Sequence, residues 1–122
     1  MTPTMILKNG KLFLIIGTEG GSTIISQMLQ VIVNVIDHGM NIQEAINAPR
    51  IHHQWLPDIV RYEPHSLPDD VLNALKKKGH TLKMDTDYLY PGDVEAIMVD
   101  LKTGMKLGAS DPRNPNALSL GY

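Results

Sequence analysis

The chain has 122 residues, 43% of them hydrophobic, which is material for one apolar core and a single domain spanning residues 1–122. Its 11 basic and 13 acidic residues are scattered and leave a formal net charge of −2, which excludes a basic stripe for nucleic acid and an acidic solvating tail. Cysteine is absent, so disulfides and thiolate chemistry are excluded while the compartment stays open; no apolar run reaches the roughly 18 to 20 residues of a membrane span, and a soluble chain is expected.

Residues 4–8 and 11–16, rich in Ile and Leu, flank Asn9-Gly10, a pair suited to the positive φ angles of a type I′ turn, and predict a β-hairpin. The second run is continuously apolar, as in a strand covered on both faces, so it belongs inside a sheet. Gly17-Thr18-Glu19-Gly20-Gly21 then breaks the chain, and Ser22 stands where an N-cap would precede a helix over residues 23–37. Ile25, Met28, Leu29, Ile32 and Ile36 recur at helical spacing on that helix while Ile24, Val31, Val33 and Val35 spread apolar character round most of its circumference, so a buried helix is expected, and Gly39 is placed to end it.

Asn41 and Glu44 fit a capping box at the start of a short helix that Pro49 stops. Residues 50–57 read as a loop or edge and residues 59–63 as a short strand. Ser66 is placed to cap a third helix, with Pro68 and Asp69 in its first turn, Val71, Leu72 and Leu75 on its apolar face, lysines near its end and Gly79 after it. Residues 94–100 and 105–109 bracket Lys102-Thr103-Gly104 as a second hairpin before a Pro- and Asn-rich tail. Hairpins mixed with helices predict an α+β fold of antiparallel sheet packed on helices.

The chemistry concentrates at Gly20-Gly21-Ser22. A strand running through adjacent glycines into a helix presents bare backbone N–H groups at the positive end of the helix dipole, and the missing Cβ atoms let a ligand come close. Spacing alone leaves three readings open: a tight capped turn, an anion or phosphate site, and an oxyanion hole for acyl transfer. A phosphate loop is disfavoured because Gly20-Gly21-Ser22 has no lysine and Glu19 would repel phosphate. Ser22 lacks the second half of a Gly-x-Ser-x-Gly elbow, so it is read as a cap and not as a nucleophile. His52-His53 project differently and make no His-x-x-x-His pair, so no metal is assigned; no cofactor is implied. Asp111-Pro112-Arg113 reads as a turn or surface ion pair, and Met28, Met40, Met84 and Met98 as core filling.

Several blocks in order resemble the gamma-glutamyltransferases, also called gamma-glutamyltranspeptidases or glutathione hydrolases. They are Met1-Thr2-Pro3-Thr4, Gly17-Thr18-Glu19-Gly20-Gly21-Ser22 with Ile24-Ile25, Asn41-Ile42-Gln43-Glu44-Ala45, Ala48-Pro49-Arg50-Ile51-His52-His53-Gln54-Trp55-Leu56-Pro57-Asp58, and Gly108-Ala109-Ser110-Asp111-Pro112-Arg113 with Gly121-Tyr122. The resemblance implies an αββα sandwich of the N-terminal nucleophile hydrolase type, cut into large and small subunits. This chain would be the C-terminal portion of the small subunit.

In that family a threonine exposed by self-cleavage attacks a gamma-glutamyl amide such as glutathione, and water or an amino acid takes the acyl group. No residue here matches that threonine, whose family position lies upstream, nor the two serines and large-subunit arginine that hold the substrate carboxylate. Gly20 and Gly21 do match: their amides would form the oxyanion hole and contact substrate. Glu19 departs from the proline of many members, and a carboxylate turned inward would weaken such a site. The implied partners are gamma-glutamyl compounds, the large subunit and the upstream small-subunit segment, with no nucleic acid. Members are often periplasmic, secreted or cell-surface. Two other readings are a non-catalytic truncated protein acting as a binding or assembly module, and a nucleotide site at the glycine turn. A chain cut from its packing partners is expected to expose apolar surface and self-associate.

Overall fold

The computed structural model describes residues 3–85 and 93–121, so Met1 and Thr2 of the first family block and Tyr122 of the last lie outside the described residues. β1 (Thr4–Lys8) and β2 (Lys11–Gly17) form the expected hairpin, with Asn9 at φ 53° and Gly10 at φ 75°, the left-handed region that such a turn needs. β6 (Glu95–Val99) pairs antiparallel with β2, and β7 (Lys106–Ser110) pairs with β6, giving the order β1-β2-β6-β7. β2 is therefore internal, as its unbroken apolar run requires.

The two-residue period of the strands separates the faces of this sheet. Leu14, Ile16, Ala96 and Ala109 are buried in one core with Met28, Val31 and Val35 of α1 (Ile24–Ile36) and Ile42, Ala45 and Ile46 of α2 (Ile42–Asn47). On the other face Met5, Ile15, Ile97 and Gly108 stand in register across all four strands, and Met5 and Ile97 are exposed. Coverage on both faces, expected for β2, is thus met on one face within this chain.

β3 (Ile51–His52), β4 (Val60–Tyr62) and β5 (Leu82–Met84) make a smaller second sheet. β3 and β4 are antiparallel, while α3 (Asp69–Lys77) carries the chain over so that β5 runs parallel to β4. β5 was not foreseen: three residues at the end of a lysine-rich stretch carry no period of their own. The fold is α+β with mainly antiparallel sheet, as the mixture of hairpins and helices predicts.

Local signals succeeded where both partners lie within one turn. The Asn41 side chain accepts from the Glu44 amide at 2.9 Å and Glu44 Oε2 accepts from the Asn41 amide at 3.1 Å, a complete capping box. They failed where a distant partner competes. Ser22 is not the cap of α1; it sits in a 3₁₀ turn, Gly21–Thr23, and its hydroxyl donates to Gln54 Oε1 at 2.6 Å. Ser66 misses its cap for a local reason: its hydroxyl donates to the Glu63 carbonyl, three residues back, at 2.7 Å, and Pro68 is the N-cap of α3. The apolar face of α1 is also rotated from expectation: Gln27, Met28, Val31 and Val35 are buried, while Ile25, Leu29 and Ile36 are 78%, 59% and 51% exposed. With apolar residues round most of the circumference, the period alone does not choose the side.

Candidate functional site

The glycine turn lies between the end of β2 and the start of α1, and its backbone shape needs glycine. Gly20 has φ 128° and Gly21 φ 59°, and a Cβ at Gly21 would meet no atom within 4 Å, so conformation and not crowding demands glycine there. Thr23 N–H and Thr23 Oγ1 both donate to the Gly20 carbonyl, at 3.2 and 2.9 Å. Neither the Gly20 nor the Gly21 amide donates to another group among the described residues. Two consecutive N–H groups are thus left at the start of a helix of thirteen residues, an arrangement that stabilises negative charge. Glu19 is exposed, and Ser22 is exposed and engaged by Gln54.

Behind the turn lies a buried polar cluster that sequence reading missed. Gln27, on the buried face of α1, has its Oε1 3.0 Å from Thr18 Oγ1 and 3.4 Å from Arg50 Nη1, while its Nε2 donates to Thr23 Oγ1. Arg50 donates to Asp111 Oδ2 at 2.6 Å and to the Ile46 carbonyl at 2.8 Å. Arg113 binds Asp111 Oδ1 at 3.0 Å and spans both Glu63 oxygens at 2.7 and 2.5 Å. Asp111 also accepts from the Val94 amide at 3.2 Å. The segment 111–113 is the expected turn, the Asn114 amide donating to the Asp111 carbonyl at 3.1 Å, but its charges form a buried ion-pair network joining the tail to α2 and β4 instead of a surface pair. Burial lowers the Arg50 pKa, with the Arg113 charge next and Asp111 opposing; Arg113 is raised, its partners Glu63 and Asp111 outweighing burial. Gln27 is one of three amides on α1, with Gln30 and Asn34, so the sequence singles out none of them as buried, and nothing local says that positions 50 and 111 meet.

His52 lines a cleft with Thr23, Ser26, Gln27, Arg50 and Glu63, among others, and His53 is not part of that lining. His52 Nδ1 lies 2.8 Å from Ser26 Oγ and its Nε2 3.0 Å from Gln54 Oε1, whereas His53 pairs with Asp58 at 3.0 Å. The two rings face different partners, as expected for adjacent residues. Among the described residues no group of three or more His, Asp or Glu side chains is placed to hold a metal ion, and no helix is long and apolar enough to cross a membrane.

Comparison with known proteins places this geometry in a lineage. The family model described as gamma-glutamyltranspeptidase matches residues 1–120. The chain is 46% identical over its whole length to the glutathione hydrolase proenzyme of Escherichia coli (strain K12), of which it covers 20%; it spans about a fifth of the length of the curated relatives it matches. Among solved structures it is similar to the T380A mutant of Helicobacter pylori gamma-glutamyltranspeptidase, with TM-score 0.85 and 49% identity over 93% of this chain and 61% of that one. It is also similar to a cephalosporin acylase from Bacillus halodurans, with TM-score 0.82 and 32% identity over 91% of this chain and 20% of that one. A match over nearly the whole chain, in sequence and in fold, leaves one assignment: the chain belongs to the gamma-glutamyltranspeptidase family.

Proposed function

We propose that this chain is part of a gamma-glutamyltransferase, or glutathione hydrolase, and supplies its oxyanion-hole loop through the Gly20 and Gly21 amides. The observation that carries this is the pair of unengaged N–H groups at the head of α1 in a chain of this family. In acyl transfer a hydroxyl attacks the amide carbonyl and charge develops on its oxygen; two donors held ready there lower the barrier without reorganising. The catalytic threonine lies outside this chain, in the upstream part of the small subunit of which this is the C-terminal portion. The substrates are glutathione and other gamma-glutamyl amides, the acceptors water or amino acids, and the partners the large subunit and the upstream segment. The isolated chain is inactive.

Hydrolysis of a chromogenic gamma-glutamyl anilide tests this directly. The chain alone is expected to be silent and activity to appear on assembly with the missing segments; turnover by the chain alone would place a nucleophile inside it. In the assembled enzyme, Gly21→Pro should lower turnover by about a hundredfold or more by deleting one donor. Proline also needs φ near −65°, where Gly21 has 59°, so an amide-to-ester replacement at Gly21 isolates the donor from the shape of the turn. Unchanged turnover in the ester would remove the oxyanion-hole role. The exposed apolar sheet face supports a second reading, a non-catalytic assembly module, which predicts capture of a partner other than the missing enzyme segments.

A further inference from the structure

The Gly20 carbonyl is held by the backbone amide and the hydroxyl of Thr23, at 3.2 and 2.9 Å. A trans peptide is planar, with its C=O and N–H pointing in opposite directions. Fixing Gly20 O against the first turn of the helix therefore fixes where the Gly21 N–H points, on the far side of the same peptide. Hydrogen-bond polarity sets the Gln27 and Thr23 ends of this hold, while the Thr18 hydroxyl has both Gln27 Oε1 at 3.0 Å and the Glu19 carbonyl at 2.8 Å as acceptors. Arg50 can only donate, so Gln27 presents Oε1 to Arg50, on the side where Thr18 Oγ1 lies 3.0 Å away, and Nε2 to Thr23. The Thr23 hydroxyl, accepting from Gln27, then spends its single proton on Gly20 O. Asp111 anchors Arg50 at 2.6 Å, and every member of this chain of contacts is buried: Thr18, Thr23, Gln27, Arg50 and Asp111.

We infer that Thr23 and Gln27 are positioning residues of the oxyanion hole: the Gln27 amide clamps the two ends of the glycine turn, at Thr18 and Thr23, and the Thr23 hydroxyl aims the Gly21 N–H. This rests on the role proposed for Gly20 and Gly21. Neither side chain touches the reacting atoms; their effect is to keep a donor aligned where a loose turn of two glycines would let it swing.

The test is made in the assembled enzyme with three variants. Thr23→Val keeps the shape and removes the hydroxyl; Thr23→Ser restores it. Gln27→Glu keeps the shape but cannot donate, so the Thr23 proton turns to the new carboxylate and leaves Gly20 O. Thr23→Val and Gln27→Glu should each lower kcat by about tenfold with KM little changed, and Thr23→Ser should recover most of the loss. Affinity for a boronic acid analogue of the gamma-glutamyl donor, which becomes tetrahedral and anionic on the nucleophile, should fall in parallel with kcat. If kcat and analogue affinity stay unchanged in Thr23→Val while the Gly21 ester is impaired, the positioning role is wrong and the oxyanion hole stands. If the ester itself is unimpaired, the reading beneath it is wrong. A loss of thermal stability with analogue affinity intact would make Thr23 merely structural and also overturn the inference.

Discussion

Asp111 shows how much one carboxylate can organise. Its two oxygens take Arg50 at 2.6 Å, Arg113 at 3.0 Å and the Val94 amide at 3.2 Å, so a residue in the tail ties together the end of α2, the start of β6 and the cluster behind the glycine turn. Replacing it by a neutral isostere removes the carboxylate charge that both buried guanidiniums, Arg50 and Arg113, pair with, and breaking a buried pair on one side costs about 3–5 kcal/mol. Asp111→Asn is therefore expected to lower the unfolding free energy by roughly that amount, read from the denaturant midpoint. A change within about 0.5 kcal/mol, typical of a surface site, would mean that Arg50 finds another partner.

At the scale of elements, the β6–β7 hairpin is set by its turn. Asp100 Oδ1 accepts from the Lys102 amide at 2.9 Å and Oδ2 from the Thr103 hydroxyl at 2.7 Å, and Gly104 closes the turn at φ 76°. The Lys102 N–H first, and the Thr103 hydroxyl next, hold the Asp100 carboxyl below the usual carboxylate range. A folded pKa below the unfolded one gives stability that is present above the unfolded value, near 3.9 for a free aspartate, and is lost as pH falls through the lower folded value. Asp100→Ala should thus lower the melting temperature near neutral pH, and the difference from the parent chain should close as the solution is acidified below about pH 4. A gap that persisted in acid would mean that the charge is not what the turn uses.

For the whole molecule the open surfaces matter most. Ile25, Leu29 and Ile36 form an exposed stripe on α1, and Met5 and Ile97 an exposed strip on the sheet face opposite the core. Apolar patches of this kind are covered in stable soluble proteins, and in a two-sheet sandwich a second sheet would lie there. The isolated chain is expected to self-associate, with light scattering reporting species larger than a monomer, and Ile97→Lys should reduce that association. A compact monomer at all accessible concentrations would show that these surfaces need no cover.

The elements whose partners sit within a few residues were legible from the sequence: the Asn9-Gly10 hairpin, the Asn41–Glu44 capping box, the Lys102-Thr103-Gly104 turn, and the glycine pair at the head of a helix. Each is fixed by backbone φ or by a side chain reaching its own turn, so local order suffices. Tertiary structure decided what competes over distance: that Ser22 serves Gln54 and not the helix, that Gln27 faces inward while Ile25 faces out, and that Arg50, Glu63, Asp111 and Arg113 converge. The physical reason is that a hydroxyl, an amide or a charge has many satisfactory partners, and only the packed chain settles which one excludes water best.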